Sequence, residues 1–216
     1  DVMNGPFPSK ITDNIYQGGY ECSENKKNLK ELGVTHILVA SFGLIEHHKE
    51  DFKYMRVDVV DSSDQDMSAY FEKVYEFVDD CISKGGKILI HCAAGISRSS
   101  TCTCVYLMKK NNIPYSEAIK IIRVGRKIAC PNLGFQKQLK NWELKCGIES
   151  SEKETPEDIL KEKAQLKEEL SKCLEISKLE KEKEIFGMIQ SKLEELKINS
   201  GVTPSDNKKK ENNFDK

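Results

Sequence analysis

The chain has 216 residues, 38% of them hydrophobic, enough for one packed domain of about 150 residues and an appendage. Charged residues make up 32%, above the usual quarter, so some stretch must be unusually polar. Lys+Arg 34 against Asp+Glu 35 leaves a net charge of −1, which argues against nucleic-acid binding through bulk positive charge. No apolar run approaches the roughly eighteen residues that a membrane span needs.

Asp1–Pro8 lacks a charged segment followed by an apolar run, so no secretory leader is expected. The expected location is cytoplasmic, with the nucleus as the alternative. The eight cysteines (Cys22, Cys81, Cys92, Cys102, Cys104, Cys130, Cys146 and Cys173) are then expected as reduced thiols. No C-x-x-C pair occurs, and Cys102-Thr103-Cys104 is too tight for the common zinc spacings, so no structural zinc is expected.

Taken in order, Ile15-Tyr16-Gln17 before Gly18-Gly19 predicts a short strand. Asn25 to Leu32 predicts a helix stopped by Gly33. His36 to Ala40 is a buried-type strand, and Tyr54 to Val60 another with partial alternation. Met67 to Ser83 carries Phe71, Val74, Tyr75 and Val78 at helical spacing and ends at Gly85-Gly86. Lys87 to Ile90 reads as a central strand. Helices are predicted over Ser99–Lys110, Ser116–Val124 and Leu133–Lys145. Strand-helix alternation followed by a helical cluster predicts an α/β domain with a central mixed, largely parallel sheet flanked by helices.

The excess charge lies at the end, where residues 151–216 hold 16 acids and 14 bases in 66 positions. Thr155-Pro156-Glu157-Asp158 is a strong helix start. Leu166, Leu170 and Cys173, then Phe186, Ile189, Leu193 and Leu196, follow helical spacings that do not share one heptad phase. The expected division is a globular domain over 1–148, a charged helical extension over 149–199 and a disordered tail over 200–216. The extension reads as a coiled coil with a stutter, as docking helices, or as a solvated helix held by Glu/Lys pairs. A homodimer or a partner helix through 155–198 is the associated expectation.

The segment that carries chemistry is His91-Cys92-Ala93-Ala94-Gly95-Ile96-Ser97-Arg98-Ser99-Ser100, between a buried strand and a helix. There the backbone N–H groups converge and the helix dipole favours an anion. The stretch from Cys92 to Arg98 is long enough to curl around a tetrahedral oxyanion, Gly95 permits the curl, and Arg98 offers a planar fork to phosphate oxygens. A thiol at a helix start beside a cation is drawn toward its thiolate, the form that attacks. An anion cradle and a nucleophilic sulfur at one point imply attack on phosphorus.

His91-Cys92-x-x-Gly95-x-x-Arg98-Ser99 resembles the signature loop of the protein tyrosine phosphatase superfamily, and Ala93 to Ser99 its dual-specificity branch. The resemblance spans nearly all of residues 8–146, including Asn14-Ile15-Tyr16-Gln17-Gly18, the stretch from Asn28 to Leu38, and Pro131-Asn132-x-x-Phe135-x-x-Gln138-Leu139 at a late helix start. It is nearest to compact MAP-kinase phosphatases without a long regulatory front.

By that resemblance, Cys92 is the nucleophile and the loop Ala93, Ala94, Gly95, Ile96, Ser97 and Arg98 binds phosphate. Asp61, in Asp61-Ser62-Ser63-Asp64-Gln65-Asp66-Met67, is the general acid, with Asp64 and Asp66 as alternatives that read as solvated or helix-start charges. Ser99 stabilises the departing thiolate, or caps the next helix, or both. His91 bonds loop backbone and tunes Cys92, and Asn132 braces the phosphate loop. Arg126 either contacts a second phosphate or is a surface charge; His47-His48 reads as a solvated loop pair and Trp142 as core. No cofactor or metal is expected, because the nest and Arg98 supply the positive field. The implied substrate is a phosphoprotein carrying phosphotyrosine or phosphoserine/threonine, with a MAP kinase as one candidate. No nucleic-acid or membrane partner is expected. The alternative reading is a phosphoprotein-binding scaffold with a helical interaction arm.

Overall fold

In the computed structural model of the protein, residues 6–149 are described. The expectations for the helical extension and the tail lie outside the described residues. Among the described residues, no helix is long and apolar enough to cross a membrane.

Five strands form one sheet: β1 (Ser9–Lys10), β2 (Ile15–Gly18), β3 (His36–Val39), β4 (Lys53–Arg56) and β5 (Ile88–His91). Their order is β1-β2-β5-β3-β4, with β1 antiparallel to β2 and the other pairs parallel. The sheet is therefore mixed and largely parallel, as the alternation implies. β5 is central, and its register sets His91 between Gly18 and Val39. The segment after β5 thus leaves the sheet at the carboxyl ends of three parallel strands, where open α/β sheets place their ligand sites.

The helices are α1 (Glu21–Glu24), α2 (Lys26–Glu31), α3 (Phe71–Ser83), α4 (Arg98–Asn111), α5 (Tyr115–Gly125) and α6 (Leu133–Cys146). Side chains alternate across β5, so Ile88 and Ile90 join the larger core under α3 to α6, while Leu89 joins the smaller one with Leu29, Ile37 and Val39. α4 is buried from Arg98 to Met108 and packs against α3, α5 and α6. Thr101 Oγ1 donates back to Ser97 O at 2.9 Å, and the single Thr103 hydroxyl proton is shared between Ser99 O and Gln17 Oε1, each at 2.9 Å. Trp142 is core, its Nε1–H reaching Val105 O at 3.3 Å.

Four elements differ from expectation. The strand expected over 54–60 ends at Arg56. Beyond it, Phe42 N–H bonds Val59 O, so the chain follows the loop after β3 rather than the sheet. The helix expected from Met67 becomes α-helical only at Phe71, because Asp66 Oδ1 accepts from both Ser68 N–H and Ser68 Oγ and winds Ser68–Tyr70 into a 3-10 turn. β1 and α1, two and four residues long, are too short to show a period. Among the described residues, Cys22, Cys81, Cys92, Cys102, Cys104 and Cys146 are free thiols.

Candidate active site

The loop from Cys92 to Ser97 is shaped by what its carbonyls do. Ala93 O accepts from Tyr20 N–H at 2.8 Å, and Ala94 O from Arg126 Nη2 at 2.8 Å. Gly95 O accepts from Arg126 Nε at 2.5 Å and Gln17 Nε2 at 3.3 Å, and Ile96 O from Cys130 N–H at 3.0 Å and from Ser100 Oγ. In a trans peptide the N–H points opposite to the preceding C=O. Carbonyls 93 to 96 held outward therefore turn the N–H groups of Ala94, Gly95, Ile96 and Ser97 inward. Gly95 N–H accordingly meets Cys92 Sγ at 3.2 Å. Gly95 has φ 70°, and a Cβ there would sit 2.3 Å from the Gly18 carbonyl, so both conformation and space demand glycine.

Cys92 is almost wholly buried, and Ser99 Oγ lies 3.4 Å from its sulfur. Ser99 does not cap α4. The N-cap is Ser97, without a side-chain cap bond, so the capping alternative for Ser99 falls away. Arg98 Nη1 donates to Ser41 Oγ at 2.6 Å, and Arg98 Nε stands 3.8 Å from Asp61 Oδ2. Asp61 Oδ1 accepts from Ser97 Oγ at 2.8 Å and Asn132 Nδ2 at 2.7 Å. Asp61 and the loop thus meet across the site, whereas Asp64 is exposed and Asp66 holds the 3-10 turn. Asn132 N–H also donates to Ser97 Oγ at 3.0 Å, so Asn132 braces both the loop and Asp61.

His91 is fully buried, its Nδ1 3.4 Å from Cys92 O. Burial pushes it down from 6.5 to about 4, so it is a neutral structural ring at pH 7. The unfolded chain binds this proton at pH values where the folded chain does not. His91 therefore withdraws stability as pH falls from about 6.5 toward 4, by roughly 2 kcal/mol at pH 5. Urea denaturation at pH 7.5 and 5 is expected to show a smaller pH-dependent loss in His91→Asn than in the native chain. An unchanged difference refutes the assignment. Burial likewise pushes the Cys102 and Cys104 thiols up, keeping them protonated.

The structure corrects two sequence assignments and adds others. Arg126 is buried and spends its guanidinium on Ala94 O, Gly95 O and Ser9 Oγ; it is neither a surface charge nor a contact for a second phosphate. Gln17, fully buried on β2, donates to Ser100 Oγ at 2.8 Å and accepts from Thr103 Oγ1 at 2.9 Å beneath the loop. Ser41, just after β3, orients Arg98, and its own carbonyl is held by Arg56 Nη2 at 3.2 Å. A serine directly after a buried strand in a parallel sheet was the available clue to Ser41. His47 is partly buried and bonded rather than a free loop side chain: its Nε2 lies 2.7 Å from Tyr20 Oη, and Tyr54 Oη donates to its carbonyl. Among the described residues, no three His, Cys, Asp or Glu side chains are grouped as a metal ion would need.

The site belongs to a known lineage. Residues 15–145 match the family described as dual specificity phosphatase, catalytic domain. The chain is 38% identical over 142 residues to dual specificity protein phosphatase 1B of Arabidopsis thaliana, covering 66% of this chain and 85% of that protein. It is 42% identical over 137 residues to MAP kinase phosphatase with leucine-rich repeats protein 1 of Dictyostelium discoideum, covering 63% of this chain but 16% of that one. The crystal structure of human tyrosine phosphatase-like serine/threonine/tyrosine-interacting protein superposes with a TM-score of 0.61 at 28% identity, covering 63% of this chain and 95% of that one. A cysteine-centred phosphate cradle on this sheet, with these relatives, makes the chain a member of the dual specificity phosphatase family, a protein-tyrosine/serine/threonine phosphatase.

Proposed function

We propose that the protein hydrolyses phosphotyrosine and phosphoserine/threonine in proteins through a phosphocysteine intermediate. The Cys92 thiolate attacks phosphorus in line while Arg98 and the inward N–H groups hold the non-bridging oxygens. The bond from phosphorus to the leaving oxygen breaks, and Asp61 gives that oxygen its proton. Asp61, now a carboxylate, takes a proton from water as the water attacks phosphorus. The sulfur–phosphorus bond breaks, and the Ser99 hydroxyl donates to the departing thiolate.

The observation that carries this reading is the bond from Ser97 Oγ, inside the phosphate loop, to Asp61 Oδ1 at 2.8 Å. It ties a carboxyl to the rim of a buried sulfur and guanidinium, which is what acid-assisted phosphoryl transfer requires and what mere phosphoprotein holding does not. The native chain is expected to hydrolyse p-nitrophenyl phosphate, a phosphotyrosine peptide and a phosphothreonine peptide, each inhibited by vanadate. Tight peptide binding with no hydrolysis would favour a scaffold instead. A MAP kinase substrate is supported by the name of the Dictyostelium relative. Release of phosphate from both the threonine and the tyrosine of a doubly phosphorylated activation-loop peptide tests that assignment.

A further inference from the structure

The motif Pro131-Asn132-x-x-Phe135-x-x-Gln138 opens α6, and its polar members reach the acid loop. Asn132 caps α6 with Oδ1, which accepts Phe135 N–H at 3.0 Å; this turns Nδ2 outward, where it donates to Asp61 Oδ1 at 2.7 Å. Gly134 lies so close to the loop that a Cβ on it would meet Ser63 O at 2.0 Å. Gln138 Oε1 accepts Met67 N–H at 2.8 Å, and its Nε2 donates to Gln65 O at 2.8 Å. Three positions of one helix thus hold residues 61, 63, 65 and 67, every second residue of the loop.

We infer that the first turns of α6 are a positioning device for the general acid, holding Asp61 docked and oriented before substrate arrives. The inference rests on the assignment of Asp61 as the acid. Two donors, Asn132 Nδ2 and Ser97 Oγ, converge on Oδ1 and make it the accepting oxygen. That leaves Oδ2, 3.8 Å from Arg98 Nε, as the oxygen clear of these two donors. Asn132, Gly134 and Gln138 are positioning residues that act through Asp61, and Asn132 N–H on Ser97 Oγ links the same device to the phosphate loop.

A misplaced acid hurts a poor leaving group far more than a good one. A threonine oxygen must be protonated to depart, whereas p-nitrophenolate leaves unaided. Asn132→Ser keeps a cap and removes the Nδ2 donor. Gly134→Ala leaves α6 helical and drives its Cβ into the Ser63 carbonyl. Each full-length variant is expected to lose about tenfold or more in kcat on a phosphothreonine peptide and far less on p-nitrophenyl phosphate, with vanadate inhibition retained. Asp61→Ala run in parallel should show the same substrate split, larger. Equal losses on both substrates, or none, in Asn132→Ser and Gly134→Ala beside a split in Asp61→Ala would overturn the positioning role alone. No split in Asp61→Ala would overturn the acid assignment and the inference together.

Discussion

Cys92→Ser is expected to lower hydrolysis of p-nitrophenyl phosphate by about 10⁵-fold or more, to the level of the blank, while phosphopeptide affinity stays near that of the native chain. The two outcomes separate because they depend on different atoms. Turnover needs a sulfur that attacks phosphorus and later leaves it. Serine matches the shape but offers a neutral hydroxyl, and no histidine stands beside it as a base: His91 is neutral, buried and directed at Cys92 O rather than at the sulfur. Binding needs the inward N–H groups, set by Tyr20, Arg126, Gln17 and Cys130 on the outer carbonyls, and the Arg98 guanidinium, set by Ser41. None of these contacts involves the Cys92 side chain. Calorimetric titration with a phosphotyrosine peptide measures the second half, and a stopped assay the first. Residual turnover above the blank would mean that another group attacks phosphorus.

The parts of the fold legible in the sequence are those where one local pattern suffices. The apolar run at β5 and the glycine after α2 have no competing explanation, and Gly33 does adopt the positive φ, 76°, expected of a helix terminator. The loop was legible because Cys92, Gly95 and Arg98 lie within one short stretch, and the resemblance supplied Asp61. What escaped was set by register and burial. Ser41 reaches Arg98 only because β3 pairs with β5 so that Val39 stands opposite His91. Gln17, on a four-residue strand, has nothing in its neighbours to mark it as buried and bonded to Ser100 and Thr103. Arg126, just past the end of α5, has nothing in its neighbours to mark it as buried. Only the outward loop carbonyls supply a reason for a buried guanidinium. His47 was misread for a related cause: its partner Tyr20 lies in a separate segment, far away in sequence.

Arg126→Met tests the corrected role. In the native fold, one planar group serves Ala94 O and Gly95 O, the two carbonyls at the tip of the loop, and reaches Ser9 Oγ next to them. Methionine fills similar volume without a donor, so Ala94 O loses the Arg126 bond and Gly95 O keeps only Gln17 Nε2; at about 1–3 kcal/mol per lost bond, a stability loss of roughly 3 kcal/mol is expected by urea denaturation. The functional effect follows from the same peptide planes. If the Ala94 and Gly95 carbonyls are free to rotate, the N–H groups of Gly95 and Ile96 no longer converge, and the cradle weakens for ground state and transition state alike. A fall of about 100-fold in kcat/KM is expected, with phosphate inhibition weakened as well. Arg126→Lys should recover little, because one ammonium on a flexible stem does not reproduce a fork spanning adjacent carbonyls. A second-phosphate role makes the opposite forecast: singly phosphorylated peptides would be handled as before, and only doubly phosphorylated ones would suffer. Equal losses on singly and doubly phosphorylated peptides therefore support the clamp, and a loss confined to the doubly phosphorylated substrate would restore the surface-contact reading.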